Sequence, residues 1–371
     1  MNETPKWVSL ALVPIVQLLL AFIVAGFVIW AIGENPFEAG SIIWVGAFGS
    51  STGIGYTLFY ATSLVFTGLA MAVAFHAGLF NIGGEGQAYL GGLGIALVCV
   101  WFDPYLPTVL IIPLAILGAA IAGAAWAFIP ALLQAMNRGH VVITTIMFNF
   151  IAASLMQYML VGPLKPASRM EPTTRFFAET TWIPQIKDVM GWFDVATRKS
   201  PLNMTLLLAV LACVFVYFLI WRTRWGYAIR TTGANATAAI YGGIKPKKVT
   251  IIAMLISGGL AGLMAVNVIM GAEHRVQADF VAGIGFTGIA VALVGRNHPF
   301  GIILAAVLFG ALTQGGTELL FEMSTMTPEI VIFFQGLVVL FTGALEYMVR
   351  PFVERTYLRV FAKQSRLEGA S

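Results

Sequence analysis

Long apolar runs dominate this chain, parted by short turns rich in glycine, proline or charge: 7–32, 56–75, 87–102, 109–133, 141–161, 202–221, 249–271, 283–295, 300–320 and 329–349. Roughly 20 apolar residues of helix cross the hydrocarbon core of a bilayer. The pattern therefore predicts an all-α, polytopic transmembrane bundle of about ten helices. The first run is longer than a signal-peptide core and no small-residue cleavage pattern follows it, so it is expected as a retained helix.

Two places break the pattern. The run 283–295 makes about 20 Å of helix at about 1.5 Å per residue, short of a core about 30 Å thick. The stretch 76–86, HAGLFNIGGEG, sets Asn81, Glu85 and four glycines between apolar runs. Interrupted helices are tolerated at membrane depth where protein or a water-filled cavity satisfies the freed backbone groups, and they point to a transport pathway. Asn81, Glu85 and Gln87 offer amides and a carboxylate to a hydroxylated solute, and Thr287 stands in the second break. Equally, Glu85 fits a cap on the helix that starts near Gln87.

The breaks take matching places in a weak internal repeat, 56–161 and 249–349. GLAMAV at 68–73 answers GLAGLMAV at 259–266, and GLGIALV at 92–98 answers GFTGIAVALV at 285–294. A single helix, 202–221, lies between the copies and gives them the parity of an inverted repeat of four helices each.

Only 10% of the 371 residues are charged and 59% are hydrophobic, against about 25% charged in a soluble domain. A mean hydropathy of +0.87 likewise excludes a soluble enzyme and leaves a single transmembrane domain, 1–371. The excess of Lys and Arg, 21 against 17 Asp and Glu, marks a membrane face rather than nucleic acid. Arg222, Arg224, Arg230, Lys245, Lys247 and Lys248 crowd the connection 222–248 without an acidic residue, and Arg350, Arg355, Arg359, Lys363 and Arg366 follow the last run. By the positive-inside rule both segments are cytoplasmic, and an even number of crossings puts both termini there. The loop 162–201 is then external, and Trp182, Trp192 and Phe193 suggest an ordered cap.

Between the basic flanks, 233–244 reads as a short alanine-rich helix bracketed by glycines, a small-residue knob that fits a partner's groove; an ordinary interfacial turn is the plainer alternative. Chemistry is sparse elsewhere. Cys99 and Cys213 lie in apolar runs as core packing. His76, His140, His274 and His298 lack metal-ligand spacing. There is no phosphate-binding G-x-x-x-x-G-K-[ST] loop and no G-x-S-x-G. The expectation is a chain with no metal, no bound cofactor and no catalysis of its own.

Phe80-Asn81-Ile82-Gly83-Gly84-Glu85-Gly86-Gln87, Val142-Ile-Thr-Thr-Ile-Met147 with Asn149, Gly233-x-Asn235-x-x-Ala238-Ala239-x-Tyr241-x-Gly243-Ile244, Ser257-Gly258-x-Leu260-Ala261-Gly262 and Gly285-Phe-x-Gly-Ile-Ala-Val-Ala-Leu293 occur in this order. As a set, over about residues 56–349, they resemble the membrane permeases of ATP-binding-cassette importers, in the group for branched-chain amino acids, simple sugars and nucleosides, and most of all its simple-sugar and nucleoside permeases. The resemblance implies a substrate pathway at Asn81, Glu85, Gln87, Asn149 and Thr287, and ATPase coupling at Gly233, Asn235, Ala238, Ala239, Tyr241 and Gly243. It also implies a second permease subunit in a heterodimer, a cytoplasmic ATPase that uses the ATP, and an extracytoplasmic substrate-binding protein, in a bacterial plasma membrane. Ala236 replaces a common proline, Ile240 a common arginine, and His140-Val141 a common Asn-Glu. The first two changes leave coupling intact; the third weakens inference of the substrate. The rival reading is a self-contained secondary transporter, favoured by the inverted repeat. A membrane-embedded enzyme is weakest, for want of a catalytic constellation.

Overall fold

A computed structural model describes residues 8, 12–191, 199–344, 348–354 and 357. In chain order its helices are α1 (Val13–Ile32), α2 (Pro36–Phe48), α3 (Ser51–His76), α4 (Gly84–Phe102), α5 (Thr108–Ala135), α6 (Val141–Val161), α7 (Ile186–Gly191), α8 (Thr205–Arg222), α9 (Arg224–Ala234), α10 (Ala236–Tyr241), α11 (Pro246–Ala265), α12 (Ile284–Val294), α13 (Pro299–Glu322) and α14 (Pro328–Val339). α11 continues as a π-helix, Val266–Glu273, and α14 as another, Leu340–Ala344. Among the described residues eight helices are long and apolar enough to cross a membrane, so the chain is a multi-pass membrane protein. The other two expected runs are short: α12 has 11 residues and α14 has 12.

α2 was not expected, because Gly40 and Gly46 dilute its apolar run. Its start is nonetheless written in the sequence. The Asn35 side chain accepts from Phe37 N–H at 3.0 Å, ahead of a proline in the first turn, the usual chemistry of a helix N-terminus. Ser50, Thr223 and Asn235 cap α3, α9 and α10 in the same way.

The chain divides into two compact units, Met1–Gly46 with Leu312–Ser371, and Ala47–Ala311. The first has an apolar core of Ala25, Ile29, Ala39, Leu319, Met323, Met326, Phe334 and Leu337.

In the second unit α3 and α4 are buried along most of their length. Small residues let the backbones beside them touch. A Cβ on Gly123 would stand 2.3 Å from the Gly258 carbonyl oxygen, one on Gly262 2.4 Å from that of Ala119, and one on Gly94 2.3 Å from that of Gly118. Lipid tails are as apolar as leucine, so membrane helices associate through close packing of small residues rather than by hydrophobic exclusion. The Gly258-x-x-x-Gly262 spacing in α11 supplies that face.

The first expected break is present, whereas the second lies just ahead of the short run 283–295 and not within it: Ile284–Val294, Thr287 included, is continuous helix. α3 ends at His76 and α4 begins at Gly84, with Gly78 left-handed between them (φ +71°). The second break runs from His274 to Gly283 and holds three non-glycine residues at positive φ: His274 (55°), Asp279 (58°) and Ala282 (46°).

Candidate functional site

The first break is fastened by side chains on three helices. Asn81 Nδ2 donates to Ser257 Oγ of α11 at 2.9 Å and to Gln87 Oε1 at 3.1 Å, while Asn81 Oδ1 accepts from Gly83 N–H at 2.9 Å. Ser257 Oγ in turn donates a hydrogen bond to the Ala70 carbonyl of α3 at 2.7 Å. On the other side, Asn149 of α6 accepts from Gly86 N–H and donates to the Ile82 carbonyl, each at 2.9 Å. Thr145 accepts from Ile82 N–H at 3.3 Å. These bonds replace the backbone partners that a continuous helix would supply.

The second break meets the first at Glu85. One carboxylate oxygen accepts from Gly283 N–H and the other from Gly285 N–H, each at 2.9 Å. Glu85 therefore caps α12, not its own helix, and its charge sits at the positive end of the α12 dipole. Gly285 makes the approach possible: a Cβ there would lie 2.3 Å from Glu85 N. One turn further along α4, Tyr89 Oη donates to Asp279 Oδ1 at 2.8 Å, and its ring meets the Phe280 ring edge-on at 5.5 Å.

Ahead of the second break, Asn267 of the π-helix donates to Ser63 Oγ at 2.8 Å and to the Phe59 carbonyl at 3.0 Å, both in α3. Asn203, ahead of α8, donates to Asn267 Oδ1 at 3.0 Å.

The segment between α6 and α8 is ordered where it is described. Thr174 N–H bonds the Val276 carbonyl, Phe177 N–H that of His274 and Ile183 N–H that of Met270. Trp182 stacks on His274 at 3.9 Å; Trp192 and Phe193 lie outside the described residues. Arg175 forks onto Asp103 at the end of α4, with Nη2 at 2.7 Å and Nη1 at 2.9 Å. Ala178 N–H adds a third bond to this buried carboxylate. The Asp103 hydrogen bonds raise the Arg175 pKa above its usual value against the opposing effect of burial.

The connection 222–248 is two helices rather than one. Gly233 belongs to α9 and lies against the end of α3, where a Cβ would meet the His76 carbonyl oxygen at 2.3 Å and Gly78 N at 2.7 Å. Asn235 caps α10, accepting from Ala238 N–H at 3.0 Å, and Gly243 (φ +76°) turns the chain away. Ala239 is fully buried, Ala238 is exposed, and Tyr241 is 89% exposed.

Of the expected pathway residues, Asn81, Glu85, Gln87 and Asn149 come together buried, their polar groups spent on the two breaks. Thr287 is half-buried and bonds the Gly283 carbonyl at 3.2 Å. Sequence reasoning missed Ser63, Tyr89, Asn267 and Asp279, and quoted Ser257 within a motif without giving it a site role. A lone Ser or Asn in an apolar run was the available signal, since it needs a partner there. Among the described residues no group of His, Cys, Asp or Glu could hold a metal ion. The assembled polar side chains join the broken helices to one another.

Residues 53–343 match the family described as branched-chain amino acid transport system / permease component. The glucose ABC transporter permease protein TsgB13 of Haloferax volcanii is 33% identical over 94% of this chain and 91% of its own. The nucleoside ABC transporter permease protein NupB of Lactococcus lactis subsp. cremoris is 34% identical over 89% of this chain and 88% of its own. From the same organism, the nucleoside ABC transporter permease protein NupC is 23% identical over 69% of this chain and 79% of its own. No solved structure matches significantly.

Proposed function

This chain belongs to the branched-chain amino acid transport system / permease component family, and from that premise we propose that it carries a nucleoside or a related small polar solute, such as a simple sugar, inward as a membrane-spanning subunit of an ABC importer. The observation that carries the mechanism is the Glu85 joint. Two broken helices meet end to end through a carboxylate and two backbone N–H groups, so a displacement of either break moves the other.

The drive enters at α10. A separate cytoplasmic ATPase grips the exposed Tyr241, Ile240 and Ala238 face, and the push passes through Gly233 to the first break at Gly78. Gly233, Asn235, Ala239 and Gly243 shape and seat this element. Asn81, Glu85, Gln87 and Asn149 build the wall of the pathway, and Thr287 lies on its rim. This chain binds no cofactor and hydrolyses no ATP.

A second permease subunit completes the pathway, a reading supported by the two permease proteins of one organism that both resemble this chain. The ordered segment on Asp103 faces an extracytoplasmic binding protein. Both termini lie in the cytoplasm of a bacterial plasma membrane, with lipid against the apolar helix faces. A reading as a self-contained secondary transporter is not favoured.

The test is uptake into proteoliposomes holding the chain with its second permease, ATPase and binding protein. Accumulation of labelled nucleoside or glucose that requires internal or external ATP at the ATPase face supports the proposal. Uptake by the chain alone, driven by an ion gradient, would favour the secondary transporter.

A further inference from the structure

The charge that the pathway wall leaves unexplained is Asp279. It stands in the second break on left-handed backbone (φ 58°) and is exposed, although its partner Tyr89 is buried. Three bonds fix its place along α4: Glu85, in the first turn, holds Gly283 and Gly285, and Tyr89, in the second, holds Asp279. From Tyr89 the helix α4 runs on to Phe102, about 20 Å at about 1.5 Å per residue. The carboxylate thus lies beside the second turn of α4, about 20 Å along that helix from its Asp103 end. A charge beside a membrane-spanning helix is kept where it faces water or a partner, not lipid.

We infer that Asp279 is a solute-contacting, specificity-determining residue of the translocation pathway, its carboxylate accepting adjacent hydroxyl groups of a sugar ring. The inference rests on the permease reading above. An ionised carboxylate only accepts hydrogen bonds and has room for several. One Asp279 oxygen takes the Tyr89 hydroxyl, which orients the group and leaves the second oxygen for solute. Phe286, 47% exposed in the first turn of α12, places an aromatic face at the same end of that helix, suited to the apolar face of a ring. Neighbouring hydroxyls presented by one sugar match the two lone pairs of that second oxygen, whereas a solute without them leaves the acceptor unpaired.

The assembled importer in proteoliposomes tests this with adenosine, 2′,3′-dideoxyadenosine and glucose as probes. Wild-type, ATP-dependent uptake of a hydroxylated probe establishes the permease reading independently; its absence with every probe overturns that reading and this inference together. Given such uptake, Asp279→Ala is expected to lower it at least tenfold at limiting solute and to erase the preference for adenosine over the dideoxy analogue. ATPase stimulation by the binding protein stays. Wild-type uptake and preference in Asp279→Ala would overturn the inference and leave the permease reading standing. As a measurement independent of rate, Asp279→Cys in a Cys99→Ala, Cys213→Ala background should react with a charged thiol reagent, more slowly when solute is present. A thiol inert in every nucleotide state would place Asp279 in a contact between subunits and overturn the inference as well.

Discussion

Asn267 donates to Ser63 at 2.8 Å, from the far end of α11 to the middle of α3. Asn81 answers it with a bond to Ser257 at 2.9 Å, from the first break to α11. Each half of the expected repeat thus lends a serine to the other half's asparagine. The two bonds lie at two levels along the packed helices α3 and α11, about ten residues apart on the α11 side.

Breaking the pairs one at a time should separate the two levels. Hydrogen bonds between membrane helices contribute on average about 0.6 kcal/mol in double-mutant cycles, reaching about 1.7. A Ser63→Ala, Asn267→Ala cycle should give a coupling of that size in thermal melts. The Ser257→Ala and Asn81→Ala cycle should do the same, and thiol accessibility of the single mutants should rise at the level of the bond removed. Additive melts in both cycles would show that the bonds hold nothing.

Glu85→Gln keeps the size of the side chain but turns an amide toward one of two backbone N–H groups. Losing one charge-assisted bond and leaving a buried donor unpaired costs about 1–3 kcal/mol. Initial uptake in Glu85→Gln should therefore fall several-fold at matched protein levels. Glu85→Asp, one methylene shorter, should fail as well because neither N–H is reached. Uptake at the wild-type rate in both variants would remove Glu85 from the mechanism.

At the coupling element the buried and exposed positions should part company. Ala239→Trp overfills a fully buried site and should lower the melting temperature through a cost of about 1–3 kcal/mol. Tyr241→Ala removes an 89% exposed ring and should leave the melt unchanged. If that ring is an interface anchor worth about 2 kcal/mol, ATPase affinity drops roughly thirtyfold. Pull-down of the ATPase with both variants reads the difference.

Gly233→Ala tests the route from α10 to the first break. Its Cβ would fall 2.3 Å from a backbone oxygen of α3, a contact that no rotamer change relieves. The expected result is ATP hydrolysis with normal ATPase association but little uptake. Coupled transport at the wild-type rate would mean that the force travels elsewhere.

Arg175→Met leaves the Asp103 carboxylate, 1% exposed, with one backbone donor. Limited proteolysis between residues 162 and 191 should quicken markedly while the spanning helices stay resistant. Equal digestion of variant and wild type would show that the clasp is dispensable.

Much of this was legible in the chain. Apolar runs mark spans because lipid offers no alternative partner for backbone groups, and glycines beside Asn81 and Glu85 mark a break for the same reason. The partners of those residues were not legible. Glu85 reads as a local cap because helix dipoles are felt within a turn, whereas the backbone N–H groups that it holds come from Gly283 and Gly285, 198 and 200 positions on. Asn267 and Ser257 sit in strings that hydropathy alone treats as lipid-like. α2 escaped because two glycines masked its period, although Asn35 and Pro36 announced its start.

The glycine contacts that bring α4, α5 and α11 together have a mechanical result. Where one backbone rests on another, no side chain is left to swing aside, and sliding would drive carbonyl oxygens into Cα atoms. The three helices are therefore a single stiff lever. Freedom to bend is left to the two gaps, α3–α4 and α11–α12, and the Glu85 carboxylate bonded between them ties the bending of one to that of the other.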